Sequence, residues 1–189
     1  MLKKILLGTL LLSSVAFAQN EIEANINEDS YEISVDAYLN DYYMLNDNSK
    51  YFLGFKVLGV DKDSQENKKL WSMNAKVMNQ SSNGYGFNFG LGLKGLVADA
   101  DKDMSAVAFG IFVEYAFDDS LNINASYHYA PEVLTFSDGK NYKEARIALD
   151  YELVNNGFIT VGYRDIETEF DDSSLNFDDS AYAGFKFKF

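Results

Sequence analysis

Apolar and polar residues alternate with a period of two along most of the chain. In Tyr85–Gly95, every odd position up to 93 is Tyr, Phe or Leu, and every even position is Gly, Asn or Lys. Successive side chains of a β-strand point to opposite faces, so this stretch predicts a strand with one apolar face and one small or polar face. A helix would distribute both sets around its axis. The alternation therefore predicts an all-β fold.

The pattern recurs and predicts ten strands. The connections alternate between short, turn-like segments and mostly longer, charged ones, as the two ends of an up-and-down barrel require. No repeat, linker or shift in composition interrupts residues 19–189, which we expect to form one domain. The ten candidate strands are Ile22–Asn27, Tyr31–Leu45, Tyr51–Val60, Leu70–Met78, Tyr85–Gly95, Val107–Phe117, Leu121–Ala130, Glu144–Leu153, Phe158–Ile166 and Ser180–Phe189.

Residues 1–18 have the layout of an export signal. Two lysines precede the apolar run Ile5–Leu12, and Ala16-Phe17-Ala18 forms a small-x-small cleavage site. The apolar run is too short to span a bilayer as a helix. We therefore expect residues 1–18 to be a cleaved signal peptide.

Composition excludes several kinds of site and partner. The 189 residues include no Cys and one His, so disulfides, thiolate zinc sites, a cysteine nucleophile and multi-histidine metal sites are impossible. The 29 acidic and 16 basic residues give a net charge of −13, and no basic patch is visible. A nucleic-acid partner is therefore not expected. We expect no cofactor.

The orientation of the two faces separates two kinds of barrel. A soluble barrel, such as a periplasmic lipocalin-like binder, buries its apolar face, whereas a membrane barrel turns that face to lipid and its polar face to the lumen. The polar face here mixes charged residues with glycines, which suit a narrow lumen but would only weaken a strand facing bulk water. Tyr and Phe are frequent at strand ends, as interfacial girdles require. The sequence thus predicts a single up-and-down antiparallel transmembrane β-barrel. Closure needs an even number of strands, so we expect ten, or eight if two weak N-terminal segments merge or drop out.

The chain ends on Phe189, at the end of an alternating strand. Many outer-membrane barrels end on an aromatic residue, which suits recognition by the barrel assembly machinery. This interpretation places the C-terminus and the turns Asp118–Ser120 and Val154–Gly157 in the periplasm of a Gram-negative bacterium. The expected partners are the assembly machinery, through Phe189, and outer-membrane lipid and lipopolysaccharide.

Four short strings in the C-terminal half carry a resemblance to a known family. They are Tyr129-Ala130-Pro131-Glu132, Asn141-Tyr142-Lys143-Glu144, Val161-Gly162-Tyr163-Arg164 and Ala181-Tyr182-Ala183-Gly184. Together with the terminal Phe189, they resemble the YfaZ-type outer-membrane proteins. The resemblance implies a signal peptide, a β-barrel and an outer-membrane location, and it implies no known reaction.

Three residues are candidates for catalysis. Ser126 and His128 share the lumen face of one strand, and a hairpin return would place Glu144 opposite His128. Ser, His and a carboxylate are the components of an activated nucleophile, so a barrel-embedded lipid hydrolase is one hypothesis. Outer-membrane lipid A deacylases use a His-x-Ser pair, whereas the order here is Ser-x-His. We expect instead a polar lumen lining and no enzymatic activity.

The charged residues of the polar face predict a network inside the lumen. Such a network could form the selectivity ring of a pore. Alternatively, its salt bridges could plug a narrow barrel, and this is favoured because side chains largely fill barrels of eight to ten strands. We therefore expect a structural or weakly pore-forming barrel with a polar, side-chain-filled lumen. The predicted members are Arg146 and Arg164 with Glu114, Glu144, Asp150 and Glu152.

Two acidic segments are candidate cation sites. Asp99, Asp101 and Asp103 are spaced like the start of a calcium loop, but Met104 and Gly110 stand where that loop needs Gly and Glu. We expect a solvated acidic tip and no metal site. Asp165–Asp179 holds seven acids and no base, which predicts a charged external loop that could recruit Mg²⁺ or Ca²⁺ near lipopolysaccharide.

Overall fold

A computed structural model describes residues 20–40, 49–61, 68–79, 85–100, 103–170 and 173–189. The predicted signal peptide lies outside the described residues. No helix among the described residues has the length and apolar character needed to cross a membrane. The described residues form eleven strands and one short 3-10 helix, Glu132–Leu134. The strands are β1 (Glu21–Ile26), β2 (Ser30–Tyr38), β3 (Ser49–Val60), β4 (Lys68–Asn79), β5 (Gly86–Asp99), β6 (Met104–Ala116), β7 (Leu121–Ala130), β8 (Thr135–Ser137), β9 (Gly139–Val154), β10 (Gly157–Phe170) and β11 (Ser174–Lys188).

Ten of the described strands close into one antiparallel barrel. Each pairs with its neighbours along the chain, and β1 pairs with β11 from Glu21↔Lys188 to Ile26↔Ala183. The short β8 lies outside this ring and pairs only with the start of β6. Beside the seam, the backbones of Asn20 and Phe189 exchange two hydrogen bonds of 2.8 and 2.9 Å. The predicted ten-stranded barrel is confirmed.

The barrel has two distinct ends. At the first, which we call the terminal end, Asn20 and Phe189 meet beside the turns after β6 and β9. These two turns were predicted to share an end with the C-terminus, and they do. In the second turn, Asn156 has a φ of 63°, a left-handed conformation that Asn tolerates better than most residues. The opposite end, the distal end, carries the connections after β1, β3, β5, β7 and β10.

The outer surface of the barrel is apolar. Leu91 of β5 is 64% exposed, whereas Lys94 of the same strand, which faces inward, is 1% exposed. The outward row of β5 runs from Phe87 to Val97 and covers about 26 Å along the barrel axis, at roughly 3.4 Å per residue and a tilt of about 40°. This height matches the apolar band of a membrane barrel. The predicted orientation of the two faces is therefore confirmed.

Aromatic side chains border this band at both ends. At the terminal end, Tyr115 packs edge-on against Phe87 and Phe117, with both ring centroids at 4.7 Å. Near the distal end, Tyr127 and Tyr163 are exposed on the outer surface. The two rows correspond to the girdles predicted from the strand ends.

The acidic segment Asp165–Asp179 differs from the prediction of a loop. Strand β10 continues to Phe170 and β11 begins at Ser174. The period of two persists here with reversed polarity, because the outer surface beyond the apolar band faces water. Inward-facing Ile166 and Phe170 are buried, whereas the acids alternating with them point outward. Asp171 and Asp172 lie outside the described residues.

Other strand boundaries also differ from the prediction. Strand β9 begins at Gly139, five residues before the predicted start at Glu144. The predicted strand Tyr31–Leu45 ends at Tyr38 as β2, and residues 41–48 lie outside the described part of the chain.

The interior of the distal end is apolar, which the predicted polar lumen did not include. In β5, Leu96 is buried inside while its neighbour Val97 is exposed outside, so both faces of the strand are apolar there. The expectation of a polar lumen holds only nearer the terminal end. The distal apolar cluster consists of Leu58, Val60, Leu70, Leu96, Ala98, Met104, Ala106, Ala108, Ala130, Tyr142, Ile166, Phe170 and Phe177.

The lumen as candidate functional site

A network of ion pairs crosses the lumen on the terminal side of the distal apolar cluster. At its centre, the Glu32 carboxylate lies 2.6 Å from Arg146, 3.3 Å from Arg164 and 3.4 Å from Lys56. Five cations and six carboxylates make up this lumen network, so it carries one excess negative charge. Its members are Glu21, Glu23, Glu32, Lys56, Lys94, Glu144, Arg146, Asp150, Arg164, Asp178 and Lys186.

The network joins strands that are far apart in the sequence. Glu144 of β9 is paired with Lys94 of β5, and it also accepts a hydrogen bond of 2.6 Å from Tyr142 Oη. Lys186 of β11 lies 2.6 Å from Asp150 of β9. A buried charge costs several kcal/mol unless it is paired and hydrogen-bonded. The network therefore fixes the relative positions of opposite barrel walls.

A glycine makes room for the aromatic ring that supports the two arginines. Tyr182 projects inward from β11, and a Cβ at Gly162 of β10 would collide with its ring. The ring lies 4.8 Å from the Arg146 guanidinium and 5.1 Å from that of Arg164. Arg146 Nε also donates a hydrogen bond of 2.6 Å to Tyr182 Oη. The string Val161-Gly162-Tyr163-Arg164 thus contributes both the space for the Tyr182 ring and one of the two arginines.

Sequence reasoning identified part of this network. Arg146, Arg164, Glu144 and Asp150 belong to it, as predicted. The other two predicted members do not. Glu114 accepts a hydrogen bond of 3.1 Å from Asn88, and Glu152 accepts one of 2.8 Å from the backbone of Asn156 in a terminal turn.

The remaining members of the network are not among the predicted ones, and most of them lie on the walls near the seam and the distal end. Glu23 and Glu32 lie on β1 and β2, whose alternation is weak, and Asp178 lies in the acidic segment that the sequence predicts to be a loop. The residues on either side of Glu23 do indicate which way its side chain points. Glu23 stands between Ile22 and Ala24, so its inward orientation could have been read from that triplet. Lys56 on β3 was missed in the same way.

The three catalytic candidates come together as predicted, but without the hydrogen bonds of a nucleophile. His128 lies opposite Glu144 in the β7–β9 ladder, and Ser126 lies opposite Arg146. Among the described residues, no hydrogen bond joins His128 to Ser126 or to Glu144. The imidazole instead packs edge-on against Phe112 at 5.2 Å.

A cavity of about 540 Å³ occupies the lumen between the network and the terminal end. Asn79, Asn156 and Phe189 line it where it reaches that end. Deeper in the barrel, its lining includes Ser126 and His128. We call this space the terminal cavity. The lumen network and the distal apolar cluster separate it from the distal end.

Two of the three acids of the acidic tip are described, and both lie at the distal end. Asp99 and Asp103 are exposed, and Asp101 lies outside the described part of the chain. Within the part that the structure describes, no group of three or more His, Asp or Glu side chains is placed to hold a metal ion.

A protein-family model described as YfaZ precursor matches residues 1–189, the whole chain. The chain belongs to the YfaZ family. This result confirms the resemblance carried by the four strings and Phe189. Family and fold together make this YfaZ-family chain a small outer-membrane β-barrel.

Two solved structures are similar to the YfaZ-family barrel. One is in-vitro folded OmpT, an outer membrane protein of Vibrio cholerae, with 9% sequence identity and a TM-score of 0.43. The other is outer-membrane expressed OmpT of Vibrio cholerae, with 10% identity and a TM-score of 0.41. Each comparison covers 89% of this chain and 64% of OmpT, so this chain spans less than two thirds of the length of OmpT. No curated protein matches the sequence.

Proposed function

We propose that the protein is a non-enzymatic, structural barrel of the Gram-negative outer membrane that does not conduct ions at rest. The terminal end faces the periplasm, and the distal end faces outward among lipopolysaccharide. The observation that carries this proposal is the closure of the lumen by two successive layers of side chains, the lumen network and the distal apolar cluster.

Both layers oppose the passage of ions. An ion that enters the terminal cavity first meets a network in which every charge has a partner of opposite sign. Beyond it, the only polar side-chain group of the distal apolar cluster is the Tyr142 hydroxyl, which is already bonded to Glu144, so this layer does not replace the hydration shell of the ion. Apolar constrictions close channels by excluding water. A weakly conducting pore would require both layers to open.

The surroundings of the catalytic candidates also support a non-enzymatic barrel. The Glu144 oxygens are engaged by Lys94, Tyr142 and Lys56, so this carboxylate is not available to orient His128. Ser126 faces the lumen, whereas a lipid hydrolase must bring its nucleophile to a lipid ester. The lipid hydrolase is therefore the less favoured function.

Planar bilayer recordings test the closure. We expect no steps, or only small ones, from the wild-type protein, in contrast to the large steps of a sixteen-stranded porin recorded as a reference. Replacing both Leu96 and Phe177 with Ser brings space and hydroxyl groups into the distal apolar cluster and should produce small openings. Val97→Ala alters the neighbouring outward-facing residue and should leave the barrel silent. Large, stable, ohmic steps from the wild type would contradict the proposal.

The proposed partner of the C-terminus is the barrel assembly machinery. Phe189 is partly exposed and stacks on Phe187 with ring centroids 6.1 Å apart. The rings of Phe187 and Phe189 are therefore both accessible at the terminal end.

Deletion of Phe189 should lower the outer-membrane level of the protein severalfold while export remains normal. Phe187→Ala is the matched control, because it removes a similarly exposed ring from the same face and leaves the terminus intact. Cell fractionation measures both variants. Equal levels for the deletion and the wild type would remove the assembly-signal role. A stable soluble periplasmic form would favour the lipocalin-like alternative.

A further inference from the structure

Two lysines in the terminal cavity differ from the other cations of the lumen. Lys50 of β3 and Lys188 of β11 line the cavity, and no carboxylate lies within 4.0 Å of either ammonium group among the described residues. The remaining lumen cations each have such a partner. They are Lys56, Lys76, Lys94, Arg146, Arg164 and Lys186.

Two acids that line the same cavity are engaged elsewhere. Glu21 stands opposite Lys188 in the β1–β11 ladder, but its carboxylate lies 3.7 Å from Lys186. Lys188 Nζ instead lies 4.6 Å from the centre of the Phe158 ring. Glu114 lines the same cavity and accepts the hydrogen bond from Asn88. Both lysines therefore line the cavity as cations without a carboxylate partner among the described residues.

A second observation also points to a ligand in this space. His128 is only 4% exposed and lines the cavity, yet its Nδ1 has no hydrogen-bond partner. Buried polar atoms in folded proteins are nearly always hydrogen-bonded, so this nitrogen requires a water molecule or a ligand. An imidazole N–H can donate to an anionic oxygen, as can an ammonium group.

We propose that the terminal cavity is a binding site for a small solute that carries a carboxylate or phosphate group, with Lys50 and Lys188 as its charged contacts. The cavity of about 540 Å³ lies within the usual size range of small-molecule sites, roughly 300–1,000 Å³. The assignment of this solute to the periplasm rests on the proposed orientation of the barrel. The binding chemistry does not depend on that orientation.

Calorimetric titration of the full barrel in uncharged maltoside micelles tests the binding. We expect citrate and inorganic phosphate to bind and glycerol not to bind. Lys50→Gln and Lys188→Gln should each weaken citrate binding about tenfold, which corresponds to about 1.4 kcal/mol. Lys143→Gln is the matched control, because Lys143 lies on the outer surface beside Glu167 and Glu169. It should leave the affinity unchanged. Absence of heat with both anions, or equal binding by the Lys50→Gln/Lys188→Gln double variant, would overturn the proposal.

Cysteine labelling places the bound anion. Because the chain has no native Cys, Ser126→Cys introduces a single thiol on the cavity wall. We expect a charged methanethiosulfonate reagent to label it and saturating citrate to slow the labelling at least tenfold. Ala130→Cys, on the same strand but within the distal apolar cluster, should remain unlabelled. Unchanged labelling of Ser126→Cys in citrate would show that the anion binds elsewhere and would also overturn the proposal.

The same labelling distinguishes a soluble anion from a lipid headgroup. Protection by citrate and phosphate alone assigns the site to a free solute. Protection by monomeric short-chain phosphatidylglycerol as well would assign it to the phosphate of an inner-leaflet lipid. Both results retain the oxyanion site. Because these measurements are made in micelles, they remain informative if the barrel is found to conduct or to have the opposite orientation.

Discussion

Replacing Arg164 with Met is expected to lower the free energy of unfolding by about 3–5 kcal/mol. The guanidinium is fully buried, pairs with Asp178 and Glu32, and donates a hydrogen bond of 2.6 Å to Ser30 Oγ. Methionine fills much of the same volume but leaves two buried carboxylates short of a partner. The loss in the free energy of unfolding arises mainly from these carboxylates, because breaking a buried ion pair costs far more than the intact pair contributes.

Urea unfolding of the refolded barrel in lipid vesicles measures this loss, with Trp71 as the reporter. It is the only tryptophan in the chain and faces outward from β4. Lys143→Met is the control, because it breaks an exposed pair with Glu169 and should cost about 0–1 kcal/mol. The double variant Arg164→Met/Asp178→Asn should lose less than the sum of its single changes. Similar losses for Arg164→Met and Lys143→Met would show that the network is not shielded from water.

Leu91→Arg is expected to destabilise the inserted barrel by about 2–4 kcal/mol. Leu91 lies near the middle of the outward row of β5, opposite Ile111 of β6, and is 64% exposed to the surroundings of the barrel. An arginine there would place its charge near the centre of the bilayer. The penalty depends on depth and falls towards the interfaces, so the central position should show the largest effect.

Asn88→Arg provides the control for the opposite face of the same strand. Its side chain lines the terminal cavity beside Glu114, where a guanidinium finds water and a carboxylate. We expect a much smaller loss than for Leu91→Arg. Spin labels at the two positions give an independent measurement, with position 91 in lipid and position 88 in water. The reverse result would invert the barrel and contradict the membrane assignment.

The sequence was sufficient to predict the barrel because its strands have one lipid face and one lumen face. That difference produces the alternation in β5, β6, β7 and β9. Prediction failed where both faces of a strand are apolar, or where the outward face is charged because it meets water instead of lipid. At Leu96 and Val97, both faces are apolar because one meets the distal apolar cluster and the other meets lipid. At Glu167 and Glu169, the outward face is charged because those residues lie beyond the apolar band.

The candidate site could be predicted only in part, since its members are joined by closure of the barrel. The opposition of His128 and Glu144 followed from one local hairpin. The triple contact of Glu32 with Lys56, Arg146 and Arg164 unites strands from both halves of the chain. No spacing within a single strand encodes that contact. The terminal cavity was likewise not predictable, because its volume depends on how far the side chains of all ten strands reach inward.

The seam between β1 and β11 has a kinetic consequence. Apart from the pairings around the short β8, every ladder of the ring joins strands that follow each other in the chain. The β1–β11 ladder instead joins the first strand of the ring to the last. Pairing β1 with β11 closes a loop that includes nearly the whole domain and therefore has the largest entropic cost. We expect this ladder to form last. Until then, two strand edges keep unsatisfied N–H and C=O groups in a medium without water. The ladder contains only six residue pairs, because β1 is six residues long. The rate at which the barrel closes and the rate at which it first opens therefore both depend on these six pairs.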